Sequence, residues 1–133
     1  RIGARGVNLM ATQGAVHGHM TFPHAPDDHV LIGHVQDVAD VVVKLLMTDT
    51  LQYPVYNVGG HTFAFHELAD LGRKIVPGLT VDYAPQPNPI ELPYLVDNTR
   101  IVQELGVTHR DPEIAYRDLA ALSRQEAGLP PVP

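Results

Sequence analysis

The run Val55-Tyr56-Asn57-Val58-Gly59-Gly60 constrains the fold more than any other stretch of this chain. Residues 55 to 58 carry β character and stop at a glycine pair, which suits a tight exit turn needing positive φ. Apolar residues at Phe65, Leu68, Leu71 and Ile75 then follow helical spacing, and Pro77-Gly78 ends the pattern. Thr80 to Ala84 read as a second strand. Strand, helix and strand at these lengths predict a parallel crossover, right-handed as nearly all such units are. The fold class expected is therefore α/β.

The flanking segments supply further helices. After the apolar piece Val30-Leu31-Ile32, the residues Val38, Val41, Val42, Leu45 and Leu46 form a single stripe, predicted to be buried. Asp37 is placed to cap that helix, with Asp40 adding negative charge at the positive end of its dipole. Four prolines between residues 85 and 93 demand an extended loop. Asp97 reads as the cap of a short helix with Ile101, Val102 and Leu105 inward, closed by Gly106 in the left-handed region. Asp111-Pro112 opens a last helix running to about Gly128, a cap followed by the proline that suits the first helical turn. Residues 1 to 30 show no sustained period and predict loop with one short strand.

Composition narrows the function classes. Nine lysines and arginines against fifteen acids give a net charge of −6, which leaves no basic stripe for a nucleic-acid backbone. The absence of cysteine excludes a disulfide framework and any thiolate metal site, and suits a reducing cytoplasm. No 18-residue apolar run exists, because Lys44 interrupts the longest one, so no membrane partner is expected.

Five motifs in fixed order add a resemblance. His34-Val35-Gln36-Asp37-Val38-Ala39, Tyr56 to Gly60, Glu67-Leu68, Asp97-Asn98-Thr99-Arg100 and Leu105-Gly106 together resemble the NAD-dependent epimerase/dehydratase family, the extended short-chain dehydrogenase/reductases. The likeness covers about residues 30 to 130, the C-terminal substrate-binding part. It implies a small parallel strand pair with about four helices, the C-terminal lobe of a Rossmann-type enzyme. Residues 1–30 would then be an irregular segment ending the Rossmann core, and residues 31–133 the C-terminal substrate-binding lobe. The first helix of the lobe would pack on the nucleotide-binding domain. Ile2 and Gly3 would touch the nicotinamide cofactor, NAD or NADP, of an intact enzyme, and His34 and Arg100 would contact substrate.

The family's chemistry resides upstream of these motifs, in a glycine-rich turn and a tyrosine followed four residues later by lysine. Neither is present: none of the five tyrosines has a lysine four positions on, and Leu9 occupies the third glycine position after Gly3-Ala4-Arg5-Gly6. No catalytic residue is assigned, and the chain is expected to bind no cofactor and turn nothing over by itself. Asp27 to Gly33 and Ala84 to Val96 contain no lysine or arginine, so a diphosphate-bearing sugar is disfavoured against a small hydroxyl or carbonyl compound. Two rival readings remain: a stand-alone module that dimerises to cover its exposed face, and a metal site built from His17, His19, His24, His29 and His34. A homo-oligomer, or completion by a separate Rossmann segment, is the partner expected.

Overall fold

A computed structural model describes residues 6–90 and 92–132. A 3-10 turn at Gly6–Asn8 leads through a π-helical turn at Met10–Gly14 into the single α-turn α1, Ala15–His17. Then follow β1 (His19–Phe22), β2 (His29–Ile32), α2 (Val35–Leu46), β3 (His61–Ala64), α3 (Phe65–Ile75), β4 (Thr80–Tyr83), α4 (Thr99–Leu105) and α5 (Pro112–Glu126). β1 and β4 pair in parallel, His19 opposite Thr80 and Phe22 opposite Tyr83. β2 and β3 pair antiparallel, Val30 opposite Phe63 and Ile32 opposite His61. The α/β class is thus as expected, with one parallel pair.

The crossover differs from the expected one in two ways. Residues 51 to 60 form no strand; the strand lies on the far side of the glycines, at β3. Tyr56 and Val58 instead pack as side chains against a small core made by Val41, Ile101 and Val107. The glycine pair marks a place where two backbones meet. Gly59 has φ of +76°, and a Cβ on Gly60 would stand 2.3 Å from the carbonyl oxygen of Ile32. β4 finds its parallel partner in β1, inside the segment expected to be irregular. Four residues are too few to reveal the alternation by which β1 buries Met20 and Phe22 and exposes His19 and Thr21.

Residues before 30 are also less irregular than predicted. Leu9, Met10, Ala11 and Ala15 are buried in the main core, carried by turns of mixed 3-10, π and α character. Such a mixture has no 3.6-residue period, so no helical signal shows in the sequence. In that core the Phe22 ring meets Phe65 edge-on with centroids 4.9 Å apart, beside Met10, Met20, Leu68 and Ile75. Tyr116 of α5 donates to the Val7 carbonyl at 3.0 Å, and Arg124 to the Ala15 carbonyl at 2.7 Å, tying the last helix to the first turns.

α3 buries the four residues that its spacing predicts, and the Glu67 carboxylate accepts the Ala64 amide at 2.8 Å. The cap of α5 forms as expected, Asp111 accepting the Glu113 amide at 2.8 Å, whereas α4 has Asn98 at the cap position and Asp97, one residue earlier, accepts the Thr99 amide at 2.9 Å. Gly106 closes α4 with φ of +59°, although Val102 points outward. The α2 stripe is the clearest departure. Only Val41 is buried; Val38 and Val42 are exposed, and Val35, Leu46 and Met47 are about four-fifths exposed.

The Ile32–Gly60 approach yields a testable pair of substitutions. Gly60→Ala is expected to cost about 1–3 kcal/mol through backbone displacement. Gly33→Ala, whose Cβ would meet nothing nearer than 3.6 Å, should stay within about 0.5 kcal/mol of wild type in urea unfolding.

Candidate functional site

A cleft of about 460 Å³ opens where β2 delivers the chain to α2. Ile32, Gly33, His34 and Val35 form one side; Pro112, Ala115, Tyr116 and Leu119 at the head of α5 form the other. Asn8, His61 and Arg110 complete the lining. The walls are thus mainly apolar, with a few polar groups set among them, the usual make-up of a small-molecule pocket.

His34 caps α2. Its backbone is extended and its Nδ1 accepts the Gln36 amide at 3.1 Å, which in the neutral ring leaves Nε2 as a donor. His61 has the opposite polarity. Its Nε2 donates to the Arg110 carbonyl at 2.9 Å, leaving Nδ1 as an acceptor. Two imidazoles thus border the cleft, and in the neutral rings one has a nitrogen left to donate and the other a nitrogen left to accept. Tyr116 is no proton carrier: burial pushes its phenol well above the usual range, and its hydroxyl is held by Val7.

Asp37 does not cap α2. It is the third residue of the helix, is buried, and faces the segment before α5. Its Oδ2 accepts the Arg110 amide at 3.0 Å, while its Oδ1 takes one arm of the Arg110 guanidinium. The other arm reaches Asp40 Oδ2 at 2.8 Å. The His109 Nδ1 stands 3.8 Å from Asp37 Oδ2. Asn98 donates to His109 Nε2 at 3.2 Å, so the neutral ring carries its proton on Nδ1, toward that carboxylate. The hydrogen bond from Arg110, with a smaller one from Gln36, holds the Asp40 carboxyl below its ordinary range; Asp40 in turn raises the guanidinium.

Of the residues expected from the sequence, His34 lines the cleft and Arg100 does not. The Arg100 guanidinium lies 4.5 Å above the Tyr53 ring. Ile2 and Gly3 fall outside the described residues. Four of the five early histidines take separate partners, His34 at the Gln36 amide among them. His19 bonds Thr80, His24 bonds the Asn88 carbonyl, and His29 stacks on Tyr94. Among the described residues no three His, Asp or Glu side chains converge to hold a metal. Nor, among them, is any helix long and apolar enough to cross a membrane. Asn8, His61, His109 and Arg110 were not singled out by sequence, because each acquires its place only through partners distant along the chain.

Several solved structures share the fold. L-threonine 3-dehydrogenase from Trypanosoma brucei superposes with a TM-score of 0.76 and 20% identity, over 95% of this chain and 41% of that one. L-threonine dehydrogenase from Phytophthora infestans gives 0.75 and 18%, over 90% and 43%. The GalE-like L-threonine dehydrogenase from Cupriavidus necator gives 0.72 and 20%, over 84% and 39%. The chain thus spans about two fifths of the length of the structures that it matches. No protein-family profile matches it, and no curated protein sequence does. The fold is that of the C-terminal lobe of a Rossmann-type extended short-chain dehydrogenase/reductase.

Two predictions follow from the Asp37 clasp. Asp37→Ala leaves the Arg110 amide without its acceptor and should cost about 1–3 kcal/mol in chemical denaturation. The Asp40 pair behaves differently with pH. Its folded value is depressed, so its small contribution is present above the unfolded value of about 3.9 and fades as pH falls through the folded one. The stability gap between wild type and Asp40→Asn should close on that acid limb, while remaining constant near neutrality.

Proposed function

We propose that this chain is the substrate-binding portion of an NAD(P)-dependent oxidoreductase of the extended short-chain kind, acting in the cytoplasm on a small hydroxyl or carbonyl compound. One observation carries the reading. His34, where the family resemblance expects a substrate contact, lines an apolar cleft in a fold shared with threonine dehydrogenases. Its Nε2–H would donate to a substrate oxygen, and His61 Nδ1 would accept from a neighbouring hydroxyl. Ile32, Leu119 and the Tyr116 ring would exclude water around the carbon skeleton.

The described residues do not fit the nicotinamide cofactor that such a fold implies. The helix ends facing the cleft are already capped, α2 by His34 and α5 by Asp111, and Arg110 is engaged by two carboxylates. No cradle remains for a pyrophosphate. The proposal therefore assigns this chain the holding and orienting of substrate, and leaves hydride transfer to a nucleotide-binding portion. Val35, Val38, Val42 and Leu46 on the open face of α2 form the surface against which that portion would pack, as the resemblance implies.

The experiment is a titration of the chain with 1,2-propanediol, 2,3-butanediol and a nucleoside diphosphate sugar, following the imidazole resonances by NMR. The small hydroxyl compounds should move His34 and His61 together, and His34→Phe should abolish the response. A panel that leaves both rings unmoved overturns the assignment. The same open face supports a second reading, the self-contained dimerising module. Sedimentation separates the two: a discrete dimer at all concentrations favours the module, whereas concentration-dependent, open-ended association relieved by Val42→Lys with Leu46→Lys favours the incomplete enzyme. A cooperative 14.5 kDa monomer would count against the incomplete enzyme.

A further inference from the structure

We infer that Asp40 sets the charge selectivity of the cleft by masking Arg110, so that uncharged hydroxyl or carbonyl compounds enter and oxyanions are refused. The inference rests on reading the cleft as a ligand site. Among the described residues, Arg110 is the one lysine or arginine that lines it. A guanidinium there would ordinarily attract phosphate or carboxylate, since its planar fork matches two oxygens at once. Here both arms are taken, by Asp37 and by Asp40. Two carboxylates on one guanidinium leave the group with a net negative charge, which repels an approaching anion.

The two aspartates do different work. Asp37 is 4% exposed, also accepts the Arg110 amide and faces His109, so it belongs to the packing of the fold. Asp40 has a side chain 52% exposed; among the described residues it accepts from the second arm of Arg110 and from the Gln36 amide group, the latter at 3.4 Å, with the Lys44 charge acting on it more weakly. Ion pairs so placed add little to stability. The effect of Asp40 on local charge is much larger in kind: without it the clasp becomes neutral and one guanidinium arm is released beside the cleft. Asp40 is thus a positioning and masking residue, acting on ligands through Arg110.

The test compares wild type, Asp40→Asn and Asp40→Glu, each titrated with inorganic phosphate and with 2,3-butanediol at constant ionic strength, reading the His34 and His61 imidazoles. Thermal melting checks that each variant folds, and Asp40→Ser provides the same unmasking with a smaller side chain. Phosphate should bind Asp40→Asn and Asp40→Ser about tenfold or more tightly than wild type, a gain of one free charge-assisted contact. Asp40→Glu should restore refusal, and the diol should bind all four proteins alike. A purely structural role would not raise affinity for an anion. The inference is overturned if the unmasked variants take phosphate no better than wild type, or if wild type takes phosphate as tightly as the diol. A diol that binds none of the proteins counts against the ligand-site reading of the cleft; the change in phosphate affinity alone decides the role of Asp40.

Discussion

A carboxylate at the third position of α2, removed from water, must be matched by positive charge and hydrogen-bond donors or its burial is strongly unfavourable. Asp37 is matched by Arg110, seventy-three residues away, through both the guanidinium and the main-chain amide. That single requirement determines much of the surrounding geometry. It draws the segment leading into α5 against the first turn of α2 and so forms the two walls of the cleft. It fixes the Arg110 carbonyl where His61 can donate to it, and thereby sets the His61 tautomer. It also gives His109 a charged face to turn toward, with Asn98 steadying the ring from the other side. The His-Val-x-Asp stretch is thus one device with two ends: the histidine caps the helix and borders the cleft, and the aspartate holds the opposite wall in place.

What local chemistry dictates was legible in the sequence. α3, β4 and the cap at Asp111 follow from spacing and side-chain acceptors within a turn of their targets, and Asp97 finds its acceptor role one residue before the α4 cap. The α/β class and the likeness to a dehydrogenase lobe follow from the order of those elements. What failed was everything depending on a distant partner. Tyr56 and Val58 have strand character, yet no neighbouring strand is available there, and their side chains are used to fill the small core. Asp37 looked like a cap because caps and buried ion-pair partners share a residue type. The periodicity of α2 identified an apolar face correctly but carries no information about whether anything covers it.

The candidate site divides along the same line. His34 could be singled out because it belongs to a motif at a helix start, and it borders the cleft. His61 and Arg110 become site residues only when β3 pairs with β2 and Asp37 closes on α5. Arg100 illustrates the converse: the motif around it survives, while its guanidinium rests on Tyr53 rather than in the cleft. A motif fixes the backbone path more firmly than the direction of any long side chain on it.

The division of the interior into two cores has a dynamic consequence. Val41, Ile101 and Val107 hold α2 to α4 as a small cluster, separate from the larger core around Phe22 and Phe65. A cluster of that size stabilises its helices less than the main core stabilises α3 and α5, so the two regions form cooperative units of unequal strength. The cleft lies along the seam between them, bordered by the head of α2 on one side and that of α5 on the other. A molecule seated there would touch both units, and its binding free energy would appear as slower local opening of the weaker one, retarding amide exchange in α2 and α4.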